Sequence, residues 1–314
     1  MSNVGFWREI KQDARDINIQ SNRLGKIGRP WYIFPQGNGP RGSFANFTDL
    51  APNLRSRDII ILGGVLREQA VAPLDVYDVT IYGAANSPRQ ATTGTGGIPA
   101  NGTPTGGGAC WLPPATGAVA GQALIELRAA GWAFENIEFT PHNGSAAIRT
   151  TRSAVVDTID ASHLSVVNCN FAGNGGTTQK GIEDNGGCGY VSAYGCRFDT
   201  LAGTAIIGLN TAAAIPRSWL IEACKFFQNG SDIVMSLNFA EILRNDFFSL
   251  TGAGQRINTI ALAGQGASNH VLFNQFADIN TDITPTDGYT GSTTDVWNNY
   301  SRATAALIVV SPPT

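Results

Sequence analysis

Four carboxylates are the residues of this sequence with the clearest potential for acid–base chemistry. Glu183 and Asp184 lie together in GIEDNGG, and Asp157 and Asp160 lie in VVDTIDASH. Two carboxyl groups held close together, one protonated and one ionised, can serve as general acid and general base. Such a pair needs a framework that brings separate segments into register, so the organisation of the chain decides whether these acids meet.

Other catalytic signatures are missing from the sequence. It contains no GxxxxGK(S/T) phosphate loop and no GxSxG motif. Its five cysteines include no CxxC pair, its three histidines lack metal spacing, and no Asp/Glu-rich loop resembles a calcium site. We therefore expect neither a cofactor nor a metal.

The composition indicates a globular chain rich in β-structure. Of 314 residues, 43% are hydrophobic, only 14% are charged and 37 are glycine, unlike helical enzymes rich in Glu, Lys and Leu. A formal net charge of −3 provides no basic footprint for nucleic acid. The N-terminus mixes acids and bases, and no stretch approaches about 18 apolar residues, so we expect no signal peptide, no membrane insertion and folding in a cytosol.

A short pattern that ends in an aromatic residue recurs through the second half of the chain. One copy is VVNCNF, Val166 to Phe171. Each copy alternates apolar with polar residues between Gly/Asn/Ser clusters, as short strands and turns do, and no amphipathic helix lies between copies. The aromatic markers of the seven copies are Phe139, Phe171, Phe198, Phe226, Phe248, Phe276 and Tyr300.

An all-β fold, a right-handed single-stranded parallel β-helix, accounts for this repeat. Each copy would form one turn of the coil, strands of successive turns would pair about 4.8 Å apart, and the markers would stack inside. Two residues before each marker we expect an internal ladder: Ile137, Cys169, Cys196, Cys224, Asp246, Asn274 and Asn298. Parallel stacking holds its cysteines too far apart for the roughly 3.8 Å Cβ separation of a disulfide, so we expect free thiols. The asparagines would continue the ladder through amide hydrogen bonds.

A second ladder, of isoleucines, supports the same register: Ile148, Ile182, Ile206 and Ile233. The residues that follow them would point outward and form a row: Arg149, Glu183, Ile207 and Val234. Ile207 and Val234, side by side on adjacent turns, predict that another subunit covers this face. The same row offers Glu183 an alternative to catalysis, an ion pair with Arg149, while Asp184 precedes Asn-Gly-Gly and is a natural turn former.

Residues 37–83 resemble the entry segment of the pectin-lyase-like β-helix superfamily, which includes bacteriophage tailspikes and polysaccharide lyases. In that pattern a Gly-rich start precedes a short helix, a gD-x-I strand, a G-x-(Y/L)-x-E turn and a V-x-I-x-G strand. The matching residues are Asp58 and Ile60, then Gly64, Leu66 and Glu68, then Val79, Ile81 and Gly83. Leu66 stands where an aromatic residue is usual. At the level of fold the resemblance covers roughly residues 37 to 300.

The resemblance implies a trimeric bacteriophage protein and, in active members, polysaccharide cleavage. Cleavage would need two carboxylates about 5 to 9.5 Å apart, a separation that adjacent or next-nearest turns supply for Glu183, Asp184, Asp157 and Asp160. Sugars could also bind to aromatic faces, although these aromatics could equally belong to the core. They are Trp132, Trp219, Tyr190 and Tyr194.

The N-terminal residues 1–30 are predicted to form an amphipathic helix, over residues 1 to about 24, and a linker. Its apolar side comprises Phe6, Trp7, Ile10, Ala14 and Ile17. A helix that short is marginal alone, so it must dock on sister helices, on another protein as a virion anchor, or on the end of its own coil. Residues 31–302 would form the coil, with a loop excursion over 88–117 pinned by Trp111, and residues 303–314 a C-terminal strand or tail.

Together these features predict a bacteriophage virion protein, a homotrimeric tailspike that binds host surface polysaccharide. If active, it would be a depolymerase of the glycoside hydrolase or lyase type. The alternative is a capsid decoration spike of the same fold without enzymatic activity. A free lyase or hydrolase is disfavoured by the missing signal peptide and the anchor-like helix. The expected partners are sister subunits, other virion proteins in the tail or capsid, and a host glycan.

Overall fold

The computed structural model describes residues 28–37, 39–84, 109–151, 163–185, 189–208, 218–235, 239–249, 257–259, 268–278, 289–290, 294–297, 299–301 and 306–308. Within them the chain consists mainly of short strands, numbered β1 to β28, with one four-residue α-helix, α1 Phe47–Leu50, followed by a 3₁₀ helix at Ala51–Asn53. The apolar residues of the predicted N-terminal anchor lie outside the described residues: Phe6, Trp7, Ile10, Ala14 and Ile17.

The strands belong to three sheets. Sheet 1 contains β1 Pro30–Ile33, β2 Ile59–Leu62, β5 Thr80–Gly83, β8 Ala133–Glu135, β11 Leu164–Val167, β14 Tyr190–Tyr194, β17 Ser218–Glu222, β20 Phe239–Leu243, β23 Ser268–Leu272 and β26 Thr294–Trp297. Sheet 2 contains β3 Val65–Arg67, β6 Ala109–Leu112, β9 Ile137–Phe139, β12 Asn170–Ala172, β15 Arg197–Asp199, β18 Lys225–Phe227, β21 Asp246–Ser249, β24 Gln275–Asp278, β27 Asn299–Ser301 and β28 Ala306–Ile308. Sheet 3 contains β4 Ala70–Val71, β7 Ile125–Leu127, β10 Ala146–Thr151, β13 Lys180–Asn185, β16 Thr204–Gly208, β19 Ser231–Met235, β22 Ile257–Thr259 and β25 Tyr289–Thr290.

From β2 to β27 the chain visits the three sheets in turn, and each strand pairs with the one three positions later. The pairs are parallel throughout this region, for example β14 on β17 and β13 on β16. This connectivity is that of a three-sided parallel coil, and the prediction of an all-β parallel fold is confirmed. The final strand β28 turns back and pairs antiparallel with β27.

Part of the predicted excursion belongs to the coil. Residues 109–112, assigned to it from the sequence, form strand β6, which pairs with β3 and β9. Trp111 is fully buried and its indole N–H donates to the backbone oxygen of Glu68 at 3.1 Å. The sequence predicted a loop for these four residues because they follow a Gly/Thr/Pro-rich run directly.

An axial stack of aromatic rings fills the interior beneath sheet 2. From Phe139 to Phe276 the ring centroids are separated by 4.7–5.2 Å with near-parallel planes. The stack comprises Trp111, Phe139, Phe171, Phe198, Phe226, Phe247 and Phe276. Two predicted markers were wrong, because Phe248 pairs with the outward Phe227 and Tyr300 pairs with Gln275. In the sequence NDFFS, only the backbone pairing distinguishes the inner phenylalanine from the outer one.

The internal ladder of small side chains is present, with a corrected membership. Its buried members are Ile137, Cys169, Cys196, Cys224, Asn245, Asn274 and Asn299. Asp246 was predicted in place of Asn245, and this error follows from the misassigned marker Phe248. The predicted Asn298 lies outside the described residues, and Asn299 takes the ladder position.

Cysteine and asparagine share this ladder because both donate a hydrogen bond to the preceding turn. The acceptors are carbonyl oxygens of sheet 1: Cys224 Sγ donates to Ala193 at 3.4 Å, and Asn274 Nδ2 donates to Ile242 at 2.9 Å. The asparagine also accepts, since Asn274 Oδ1 receives the backbone N–H and Nδ2 of Asn245 at 2.9 and 3.0 Å. Every amide thus meets the requirement that buried polar groups be paired.

The ladder cysteines are free thiols, as predicted. Burial raises the pKa of Cys169 and of Cys224 well above the ordinary thiol value, because desolvation disfavours the thiolate. Neutral, buried thiols behave as small apolar core residues.

The corner between sheets 1 and 2 is turned by a single left-handed residue before each ladder position. These residues are Asn136, Asn168, Gly195, Ala223, Arg244 and Phe273. Left-handed backbone is unfavourable for residues with a Cβ atom, least so for asparagine. One such residue in each of these turns changes the direction of the backbone between its strand in sheet 1 and its strand in sheet 2.

The entry segment folds around two buried carboxylates. Asp58 accepts hydrogen bonds from the backbone N–H of Arg29 and of Arg55 and from the indole of Trp31. Glu68 accepts from the backbone N–H groups of Phe47 and Thr48, at the start of helix α1, Phe47–Leu50. Phe47 and Leu50 are buried in the main core. The acids of the gD-x-I and G-x-L-x-E segments are therefore structural.

Asn274→Ala should lower the free energy of unfolding by about 2–4 kcal/mol, because it removes the acceptor of two buried hydrogen bonds and a donor to Ile242. The neighbouring exposed change, Gln275→Ala, should cost less than about 0.5 kcal/mol. Urea unfolding of both variants would measure this difference, and equal midpoints would contradict a stabilising amide ladder.

Gly195→Ala and Ala223→Gly should change stability in opposite directions. Both positions are left-handed, with φ of +62° and +54°, and a Cβ at Gly195 meets nothing within 4 Å, so only backbone preference acts. We expect a loss of about 0.5–1 kcal/mol for Gly195→Ala and a similar gain for Ala223→Gly. Thermal unfolding of the two variants provides the measurement, and shifts of the same sign would be inconsistent with corner strain.

Candidate functional site

Glu183 lies on the outer face of sheet 3 in an ion-pair cluster. Its Oε2 accepts a hydrogen bond from Arg149 Nε at 2.7 Å and lies 2.6 Å from Nη2 of the same guanidinium. Its other oxygen accepts from Lys180 Nζ. Arg149 and Glu183 are paired across β10 and β13, so the alternative drawn from the sequence, an ion pair between adjacent turns, describes this carboxylate.

Two cations keep Glu183 ionised. Burial by itself raises the pKa of Glu183, but the hydrogen bond from Lys180 and the charges of Arg149 and Lys180 outweigh it, so the pKa lies below its ordinary value of 4.5. A general acid needs the opposite shift, toward neutrality. The geometry and the lowered pKa thus favour an ion pair for Glu183 over the role of general acid.

Asp184 points to the other side of the same strand. Successive side chains of a strand alternate between its faces, and Asp184 is 3% exposed where Glu183 is partly exposed. Its Oδ1 accepts the hydroxyl of Thr150 at 3.0 Å. The structure thus does not bring Glu183 and Asp184 to one surface, and Asp157 and Asp160 lie outside the described residues.

The predicted subunit-contact residues continue the outer row that contains Glu183. Ile207 is paired with Glu183 and with Val234 on the next turn, and both apolar residues are partly exposed. The row has apolar residues on both sides of a charged segment, and its register continues beyond Val234 to Asn258 and Thr290. In chain order it contains Val71, Glu126, Arg149, Glu183, Ile207 and Val234.

The structure divides the four aromatic residues considered for sugar binding into two pairs. Trp132 and Trp219 are 1% exposed and belong to the core. Tyr190 and Tyr194 are 49% and 50% exposed on the outer face of sheet 1. They stand at the two ends of β14 and share one face, because they are four positions apart and side chains alternate along a strand with a period of two.

Three neighbouring strands, β11, β14 and β17, place eight outward residues on this surface, and His163, just before β11, adds a ninth. We call this surface the tyrosine patch. Its rows run across the strands, and the central row carries two serine hydroxyls and one leucine. The nine residues are His163, Tyr190 and Ser218, then Ser165, Ser192 and Leu220, then Val167, Tyr194 and Glu222.

Two contacts fix the edges of the tyrosine patch. The imidazole of His163 stacks on Tyr190 with centroids 4.6 Å apart, and Glu222 is held by Arg244 at 2.7 Å. His163 did not stand out in the sequence above an ordinary turn histidine. Its place beside Tyr190 on the adjacent strand is what marks it as part of a surface. That place becomes visible only when the pairing of β11 with β14 is known.

The strands of sheet 1 have an asymmetric charge. None of its ten strands contains Lys or Arg, whereas they contain Glu135, Glu222, Glu241 and Asp295. By contrast, the strands of sheet 2 contain Arg67, Arg197 and Lys225. The tyrosine patch therefore lies on a face without strand-borne cations.

The described part of the chain shows no cluster of three or more histidine, cysteine, aspartate or glutamate side chains suited to a metal ion. Helices with the length and apolar character to traverse a bilayer are also absent from it.

Glu183→Gln should destabilise the protein at pH 7 by about 1–3 kcal/mol, because charge-assisted hydrogen bonds are lost. A pKa below the ordinary value means that the ionised carboxylate stabilises the fold above pH about 4.5, and that this contribution disappears as the pH falls through the folded-state pKa. Urea unfolding from pH 7 to pH 3 should show the two proteins converging at acid pH.

A suitable control for this experiment is Glu241→Gln, a change at an exposed glutamate of sheet 1. It should shift the unfolding midpoint by less than about 0.5 kcal/mol at any pH. A constant gap between wild type and Glu183→Gln down to pH 3 would refute the ion-pair account.

Two surfaces of the coil are thus the candidates for interaction, the mixed row on sheet 3 and the tyrosine patch on sheet 1. The first includes apolar residues on adjacent turns, and the second presents exposed aromatic rings beside hydroxyl groups. No protein-family model matches this chain, and no curated protein or solved structure matches it.

Proposed function

We propose that this chain is a bacteriophage virion protein, a homotrimeric β-helical spike that binds polysaccharide on the host surface. The observation that carries the proposal is the tyrosine patch, in which Tyr190 and Tyr194 stand half exposed on a parallel sheet. Aromatic faces pack against the apolar faces of sugar rings, and adjacent hydroxyls bond to sugar hydroxyls. A regular coil holds these groups rigidly in place.

The coil of the proposed spike is right-handed. Parallel strands joined by a crossover have this hand in about 98% of cases, because a twisted strand packs back onto its sheet most readily in that sense. The resemblance of residues 37–83 to the tailspike entry segment agrees with it, and the buried Asp58 and Glu68 give that segment a structural purpose.

Trimerisation is assigned to the sheet 3 row. Ile207 and Val234 supply adjacent apolar side chains, while Arg149 and Glu183 on the same row neutralise each other. A self-neutralised, partly apolar face can lie against a second copy at low desolvation cost. Sheets 1 and 2 then face outward, which leaves the tyrosine patch accessible.

Binding without cleavage is the better-supported activity. Glu183 is ionised between two cations and Asp184 is buried on the opposite side of the strand. An acid and a base that share one surface are required for glycoside hydrolysis. The proposed spike therefore recognises polysaccharide through the described residues and does not use these two acids to cut it.

The oligomer can be tested by the mass of the purified full chain in solution. Light scattering should give three times the chain mass of 33.1 kDa, and the double variant Ile207→Asp/Val234→Asp should sediment as the monomer, because it buries unpaired charges in the contact. Ser165→Asp/Ser192→Asp, at partly exposed register partners of adjacent turns on the outward-facing sheet 1, is the control and should remain a trimer. A wild-type monomer would exclude the trimer.

The virion location and the role in binding can be tested on phage particles that carry this chain. Gold-labelled antibody should mark a few sites at the tail, and purified wild-type protein should bind cells of the host and slow adsorption of the phage. Dense labelling of the capsid without cell binding would indicate the decoration spike instead. Deletion of residues 1–24 should leave a trimer that no longer attaches to particles.

A further inference from the structure

We infer that the polysaccharide held by the tyrosine patch is uncharged and lies parallel to strand β14, against the side of its tyrosines that is turned toward β17, across the axis of the coil. This inference rests on the proposed function and specifies its ligand class. Three features of the patch support it: the spacing of its aromatic rings, the fixed position of its edges and the charge of sheet 1.

The spacing of the tyrosines defines a short linear track. Tyr190 and Tyr194 are separated by four residues of extended chain, which places them about 13 Å apart. Ser192 lies between them on the same face, and Ser165 is its register partner on the preceding turn. Two stacking positions with hydroxyl groups between them suit consecutive sugar units, whose ring faces alternate with hydroxyl edges.

The two ends of the track are held before any ligand arrives. His163 stacks on the face of Tyr190 that is turned toward β11, so the ring stands upright on the sheet and its other face, toward β17, is the one that can meet a sugar ring. Beside Tyr194, the carboxylate of Glu222 is fixed by Arg244 and retains oxygen lone pairs that can accept sugar hydroxyls. A pre-positioned surface loses less side-chain entropy on binding.

The charge of the face selects the ligand class. A polymer bearing a carboxylate or sulfate on its repeat needs cationic partners, and the strands of sheet 1 supply neither Lys nor Arg. Arg244 lies at the edge and is engaged with Glu222 at 2.7 Å. An anionic chain parallel to β14 would instead approach the carboxylates of Glu135 and Glu241, which lie on the flanking strands, so this face disfavours it.

The test is affinity electrophoresis of the full chain in gels that contain one polysaccharide each. The neutral probes are dextran, mannan and galactomannan, and the anionic probes are alginate, polygalacturonate and hyaluronan. At least one neutral polymer should retard the wild type, and Tyr190→Ala and Tyr194→Ala should each weaken that retardation at least tenfold. The control is Tyr300→Ala, at a tyrosine of sheet 2 that is 38% exposed, and it should behave as wild type.

Substitution by phenylalanine separates stacking from hydroxyl bonding. Tyr190→Phe and Tyr194→Phe keep the aromatic faces and should retain affinity within about threefold. Circular dichroism and the mass in solution verify that every variant is folded. Loss of binding in the phenylalanine variants as severe as in the alanine variants would overturn the stacking track.

Failure of this inference is distinguishable from failure of the proposed function. Retardation only by anionic polymers, by none of the neutral probes, or equally in the Tyr190→Ala and Tyr194→Ala variants would overturn the inference. If the wild type still bound host cells in any of those cases, recognition of the host would stand with a different site or ligand. Absence of both cell binding and retardation would overturn both proposals.

Discussion

The axial stacking of one aromatic ring on the next is the interaction on which the rest of the structure depends. Phe139, Phe171 and Phe198 lie 5.2 and 4.7 Å apart in consecutive turns, so each turn must return its aromatic side chain to the same point. Rings of this size bury about 150–250 Å² each. Because that burial repeats in every turn, loops of different length can be accommodated at the corners without changing the core.

The polar ladder beside the stack makes the register unique. A one-residue slip of β21 would retain a phenylalanine in the interior, since Phe247 and Phe248 are adjacent, but it would place Asp246 in the position of Asn245. A buried carboxylate lacks the N–H groups with which Asn245 reaches Ile221, and it carries an unpaired charge. The hydrophobic effect thus requires that either Phe247 or Phe248 be buried, and the hydrogen bonds of Asn245 determine that it is Phe247.

The same register organises the outer surfaces. Side chains from turns more than twenty residues apart become neighbours, so a row such as Arg149, Glu183 and Ile207 is assembled from separate segments. On sheet 1 this principle unites His163, Tyr190 and Glu222 in one patch. Its carboxylates and the absence of strand-borne cations give that face a different character from sheet 2, which carries Arg197 and Lys225. The three faces can therefore serve different partners.

The sequence by itself determined the parallel coil, the isoleucine ladder and the free ladder cysteines, because period-two alternation and a repeating aromatic mark each turn locally. It also contained the pairing of Arg149 with Glu183, which follows from counting outward from Ile148 and Ile182. Only the tertiary structure decided between Phe247 and Phe248, made Ala109–Leu112 a strand, and separated the buried Trp219 from the exposed Tyr190 and Tyr194. The reason is physical: alternation states that neighbouring side chains face opposite ways, but which way is inward depends on hydrogen bonds to turns that are distant in the sequence.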